Sequence, residues 1–144
     1  MEAVLANPSV DAAKDRFCPR TPVLINDRVK VNALLDGGAT GSLASGRLIN
    51  ARRISELTPT DTYISVADGR RTKVLGTVEL NVKIMGLERM VKVSVVDQNM
   101  YNLLLGPDAL NAYGTHTDWT TYTWHLKHGD RTVPMDVSYD GVDE

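Results

Sequence analysis

A chain of 144 residues that is 42% hydrophobic is the size of one ordinary globular domain and can bury a modest core. Its formal net charge of −2 gives no electrostatic reason to expect a nucleic-acid partner, because phosphate binding needs clustered Lys and Arg. The basic residues are split instead between Arg47, Arg52, Arg53 and Arg70, Arg71, Lys73, which reads as scattered solvated charge. A single cysteine, Cys18, excludes an internal disulfide framework, and no apolar run approaches membrane-spanning length. The first residues, with Glu2 and Asp11, lack the basic and apolar regions of a signal peptide. The expectation is a cytoplasmic protein with neither a membrane nor a nucleic acid as partner.

Residues 1–20 are rich in Ala, Asp and Pro and read as a flexible lead-in. From Thr21 the pattern turns to period-two alternation with turn punctuation, which predicts strands through a domain spanning 21–135. Residues 22–25 and 29–35 form a hairpin around Asn26-Asp27-Arg28 that delivers Asp36 at its far end. A short strand is expected over 42–44, and 46–57 is ambiguous between helix and coil before Thr58-Pro59-Thr60 breaks it. Strands follow on both sides of Asp68-Gly69, over 72–85, and after Gly86 over 90–96. Residues 107–113 predict a helix, with Pro near its first turn and Gly114 at its end. In the tail, residues 119–126 and 131–135 predict strands around the turn 127–130, with Tyr122, Trp124 and Leu126 on one buried face. Residues 136–144 are acidic and polar and predict a frayed end.

The stretch that carries chemistry is Leu34-Leu35-Asp36-Gly37-Gly38-Ala39-Thr40, two apolar residues running into an acid and a turn of small residues. As local chemistry this is a hairpin turn, since Asp-Gly and Gly-Gly supply positive φ. Yet a strand ending in Leu-Leu wants burial, and an ionised carboxylate in apolar surroundings is costly unless something pairs it or shares its proton. Two further stretches add weight. One is Tyr101-Asn102-Leu103-Leu104-Leu105-Gly106-Pro107-Asp108-Ala109-Leu110, and the other is the hairpin-like run from Tyr63 to Gly76.

Taken in this order, the three stretches resemble the retropepsin-like aspartic proteases of retroviruses and long-terminal-repeat retrotransposons. Those enzymes read apolar-apolar-Asp-Thr/Ser-Gly-Ala at the catalytic loop and Ile-Leu-Gly-x-Asp-x-Leu near the end. The resemblance covers residues 21–114 and implies an all-β, closed-barrel fold with one short C-terminal helix. It implies that Asp36 is catalytic and that Leu34, Gly38, Ala39, Thr40 and Leu104 line a substrate cleft. Val66, Ala67, Asp68 and Gly69 would form the tip of a flap closing over an extended peptide, while Gly37, Leu105 and Gly106 support the catalytic loop. In that family terminal strands build the subunit interface, so the hairpin after residue 119 is a candidate for that role; a strand closing its own barrel fits the sequence equally well.

Acid proteolysis of this kind uses two close carboxylates that share a proton. The chain holds one Leu-Asp-small-Gly-Ala loop and no second copy, so a dyad requires a two-fold homodimer with one Asp36 from each chain. The implied activity is an aspartic endopeptidase that processes a Gag-Pol-type polyprotein, in the cytoplasm or within retroelement particles. No cofactor and no metal are expected. Gly37 departs from the pattern, since family members carry Thr or Ser there with a hydroxyl that braces the two loops across the dimer. A catalytically weak or silent peptide-binding scaffold on the same fold is therefore the alternative. Other candidates weigh less. His125 and His128 would point in different directions on a strand and its turn and lack further ligands. Cys18 has no neighbouring His, and Ser42 and Ser45 have no His or Asp at motif spacing.

Overall fold

The computed structural model describes residues 19–51, 57–65, 71–97 and 101–139. Strand β1 (Arg20–Ile25) pairs with β2 (Val29–Leu35) in an antiparallel hairpin. Its three-residue connection, Asn26-Asp27-Arg28, places Asn26 and Asp27 at φ 52° and 57°, with the Arg28 N–H bonded to the Ile25 carbonyl. Such a turn matches the twist of the strands it joins, and Asn and Asp are the residues that tolerate it. The long pair β5 (Arg71–Ile84) and β6 (Leu87–Val96) reverses through the two residues Met85 and Gly86, again both at positive φ.

Two short strands, β3 (Leu43–Ser45) and β7 (Leu103–Leu105), complete a ring in the order β1-β2-β7-β3-β6-β5. The ring closes where Leu24 and Ile25 of β1 meet Lys83 and Val82 of β5. Closure leaves no free edge among these six strands, and β4 (Thr62–Ser65) extends β5 outside it. Inward positions alternate along β5 at Val78, Leu80, Val82 and Ile84 and along β6 at Val91, Val93 and Val95, all buried. These join Ile25, Leu35, Leu103 and Leu105 in the main core. Each such side chain contributes roughly 1.5–3 kcal/mol through burial. A second, smaller cluster gathers Leu34, Ala39, Leu43, Val74, Val96, Tyr101 and Leu104. Strand alternation explains the split, since Leu34 and Leu35 necessarily face opposite ways.

The all-β closed barrel matches the expectation, but its helix content does not. Besides α2 (Pro107–Ala112) there is a helix α1 (Gly46–Ala51) in the stretch that was ambiguous from sequence. The Leu48 N–H donates to Ser45 Oγ at 3.0 Å, so Ser45 caps α1 and Leu48 and Ile49 are buried. The glycine that opens this helix masks the signal.

The terminal strands β8 (His116–Asp118), β9 (Thr123–His128) and β10 (Arg131–Pro134) form a separate three-stranded sheet. They do not close the barrel, because β1 and β5 do. The expected strand from residue 119 begins only at Thr123, since 119–122 must reverse the chain between β8 and β9. Tyr122 lies in that reversal with φ 57° and is exposed, whereas Trp124 and Leu126 are buried as expected. Residues 136–139 of the expected frayed end are tied to β1 of the barrel and to β9. Thr21 Oγ1 donates to the Asp136 carbonyl at 2.9 Å, Arg20 and Ser138 exchange two backbone bonds of 2.9 Å, and Trp124 Nε1 donates to the Tyr139 hydroxyl.

Candidate active site

Strands β2 and β7 run parallel, with Leu34 beside Leu104 and Leu35 beside Leu105. The ladder continues one step further, as the Asp36 N–H donates to the Leu105 carbonyl at 2.9 Å. Asp36 is thus held by backbone at the point where the strand ends, and it is only 6% exposed. Its carboxylate Oδ1 accepts the Gly38 N–H at 3.1 Å, and its carbonyl accepts the Ala39 N–H at 3.3 Å. The acid therefore shapes the turn that presents it. A carboxylate fixed by its own turn has little rotamer freedom left to lose when it meets a second charge.

The loop 36–42 rests on the residues that follow β7. A Cβ at Gly106 would stand 2.6 Å from the Gly41 carbonyl oxygen, so the two backbones touch and only glycine fits. Ser42 then ties the loop to the start of α2: its hydroxyl donates to Asp108 Oδ1 at 2.8 Å and accepts the Gly106 N–H at 3.0 Å. Behind this, α2 ends at Tyr113, whose hydroxyl donates to the Val82 carbonyl. Burial raises the Tyr113 pKa well above the ordinary tyrosine value.

Of the residues expected at the site, Leu34, Ala39 and Leu104 lie together in the second apolar cluster, beside Val74, Val96 and Tyr101. Leu105 belongs to the main core, behind the loop it supports. Gly37, Gly38 and Thr40 are exposed at the turn. Val66, Ala67, Asp68 and Gly69 lie outside the described residues. On the other flank of Asp36 opens a cleft of about 470 Å³ lined by Gly37, Gly38, Leu110, His116, Trp119 and Trp124, among others. Trp119 at its rim is 60% exposed. A Cβ built on Gly37 meets only Leu110 Cδ1, at 3.9 Å, and Gly37 is not among the residues with positive φ. Nothing in the loop geometry demands glycine at 37.

Ser42 and Asp108 were not anticipated as supports for the loop. They stand 66 residues apart, so no local spacing could pair them. The histidines fall as expected in one respect: His125 and His128, three residues apart on a strand, face opposite sides of β9. His125 instead stacks on His116, with ring centroids 5.1 Å apart. Among the described residues no group of three or more His, Cys, Asp or Glu could hold a metal ion. Likewise, no helix among them is long and apolar enough to cross a membrane.

The family model described as gag-polyprotein putative aspartyl protease matches residues 21–112, which include the Asp36 loop and the 101–110 stretch. No curated protein matches the chain. Among solved structures, the retroviral protease-like domain of Ddi1 from Leishmania major is similar with a TM-score of 0.62 at 18% identity, covering 83% of this chain and 94% of that one. EIAV protease complexed with the inhibitor HBY-793 is similar with a TM-score of 0.56 at 28% identity, covering 67% and 88%. A retropepsin-like aspartic protease from Rickettsia conorii gives a TM-score of 0.54 at 22% identity, covering 69% and 83%. The chain belongs to the gag-polyprotein aspartyl protease family, with the retropepsin-like fold.

Proposed function

We propose that the protein is an aspartic endopeptidase that acts as a homodimer on extended peptide segments of a Gag-Pol-type polyprotein. The observation that carries this reading is Asp36 itself, a largely buried acid fixed by backbone at the mouth of an apolar cleft, with one such loop per chain. Two copies related by a two-fold axis bring two Asp36 carboxylates together, where like charge allows them one shared proton. The ionised carboxylate takes a proton from water as the water oxygen attacks the scissile carbonyl carbon. The protonated one donates to the carbonyl oxygen. Collapse of the tetrahedral intermediate re-forms the carbonyl, breaks the C–N bond and passes a proton to the departing amine. The pair titrates as a unit, so no single pKa belongs to either copy. Leu34, Ala39 and Leu104 supply apolar contacts for the peptide, with Gly38 and Thr40 at the cleft floor. Residues 66–69 act as the tip of the flap, which closes and excludes water. Main-chain pairing along the cleft gives affinity, and alternate side chains give selectivity. The setting we propose is the cytoplasm or a retroelement particle.

Cleavage of a denatured protein or polyprotein substrate at mildly acidic pH, measured beside Asp36→Ala, tests this directly. The variant is expected to fall to background; activity that survives it would sink the aspartic mechanism. The second reading, a peptide-binding scaffold without turnover, is favoured by Gly37, which lacks the hydroxyl that braces paired loops. Peptide binding without cleavage by the intact dimer would select it.

A further inference from the structure

His116 and His125 stand directly opposite each other in the β8–β9 pair. Their rings stack with centroids 5.1 Å apart and an interplanar angle of 13°. Trp124 and Leu126, on either side of His125, belong to the main core, so strand alternation turns His125 and its opposite number to the outer face of the three-stranded sheet. β8 also walls the cleft beside Asp36, through His116 and Thr117. The pair lies next to that cleft without belonging to the Asp36 loop.

One nitrogen of the pair is unanswered. His125 Nδ1 is buried and makes no hydrogen bond among the described residues. A neutral imidazole donates from one nitrogen and accepts at the other, so with nothing to receive a proton from Nδ1 the hydrogen belongs on Nε2 and Nδ1 keeps its lone pair. A buried lone pair without a donor leaves its desolvation uncompensated. The neighbours do not supply one. Asp118, two residues along β8 on the same face, uses its carboxylate to accept the Thr120 N–H at 2.9 Å, and His128 faces the other side of β9.

We propose that His116 and His125 together bind one divalent transition-metal ion of the zinc, nickel or copper class, which clamps β8 to β9. Imidazole suits these ions, and its neutral form ligates through either Nδ1 or Nε2. Directly opposed residues hold their Cβ atoms about 5 Å apart, close enough for two rings to share an ion roughly 2.0–2.1 Å from each nitrogen. The lone pairs of parallel rings cannot converge on one point, so binding turns one ring about its Cβ–Cγ bond. His116, exposed on the edge strand of its sheet, has the room to turn. Water fills the remaining positions, which makes the site an exchangeable one, unlike a structural site closed by four protein ligands. The proposal depends neither on peptide cleavage nor on the dimer.

The test uses the full chain without a histidine tag, in chelator-treated buffer at neutral pH. Titration calorimetry and thermal unfolding are run with Zn2+, Ni2+, Cu2+ and Mg2+. One Ni2+ per chain is expected to bind, Cu2+ more tightly still and Mg2+ not at all, following ligand preference and the Irving–Williams order. Because the ion binds the folded chain, the melting point should rise with its concentration. His116→Gln and His125→Gln should each weaken binding by about a hundredfold, since a single imidazole loses the chelate. Cys18→Ser and His128→Gln should leave it unchanged. Absence of Ni2+ binding to the parent chain overturns the proposal and needs no variant to fold. Affinity that survives either His116→Gln or His125→Gln, or that disappears with Cys18→Ser or His128→Gln, places the ion elsewhere and overturns it equally.

Discussion

Gly37 and Gly106 follow two strands that lie side by side, and they are glycine for different reasons. β2 runs into Asp36-Gly37, and β7 runs into Gly106-Pro107. At Gly106 an added Cβ would stand 2.6 Å from the Gly41 carbonyl oxygen, so the close approach of two loops fixes the residue. At Gly37 the nearest atom is 3.9 Å away and belongs to a side chain. The supporting arm is built to tolerance, while the arm bearing the acid leaves room for a side chain it does not carry. Retropepsin-like enzymes place Thr or Ser there. The barrel therefore supports the Asp36 loop fully, and in the proposed homodimer the missing contribution is the one a second chain would feel.

Four substitutions break or sharpen this contrast. Gly106→Ala should be the most damaging, because the clash is with backbone and both loops must shift. A loss of roughly 1–3 kcal/mol, the usual cost of overpacking, is expected in denaturant unfolding, together with loss of any cleavage. A melting point equal to the parent's would show that the two loops are not in contact. Ser42→Ala comes next, as it removes the bond to Asp108 and leaves the buried Gly106 N–H unanswered. About 1–2 kcal/mol of stability should go with it, again read from unfolding.

Gly37→Ser and Gly37→Thr should act oppositely. The fold has space for them, so monomer stability should move by no more than about 0.5 kcal/mol. Bracing bonds of roughly 1 kcal/mol each, repeated by symmetry, should tighten the dimer and raise kcat/KM. If neither the dimer Kd nor the activity moves, the account of Gly37 is wrong.

Tyr113→Phe has the smallest effect, confined to alkaline pH. Burial raises the Tyr113 pKa, so the folded chain holds this proton after the unfolded chain, near pH 10, has released it. The associated stability is complete below about pH 10 and is lost as pH rises towards the folded value. Tyr139, raised chiefly by burial, acts in the same direction. Removing the Tyr113 hydroxyl should make the alkaline decline in unfolding free energy shallower, from a lower starting point because the bond to Val82 is also gone. An unchanged slope would place its ionisation elsewhere.

The barrel was legible because its strands alternate cleanly and its hairpins carry Asn-Asp and Met-Gly turns, signals that act over a few residues. Asp36 was legible for the same reason, as an acid between an apolar strand and a glycine turn. Helix α1 was not, since Gly46 stands where a helix former would announce it and Ser45 is recognisable as a cap only once Leu48 folds back. The Ser42–Asp108 brace and the closure of β1 on β5 were beyond reach for a related reason. Each joins segments more than fifty residues apart through backbone geometry that no spacing in the sequence encodes. Arg20 is the extreme case, a charge at the start of a strand whose burial becomes evident only when Leu34 and Tyr101 are placed beside it.

The central claim, that each chain holds half of the site, is tested most directly by mixing. Parent chain is equilibrated with increasing proportions of Asp36→Asn at fixed total concentration, well above the dimer Kd, and cleavage is measured. A site needing one Asp36 from each subunit predicts that activity falls as the square of the parent fraction. A linear fall would mean that one Asp36 per chain suffices, and would contradict the account.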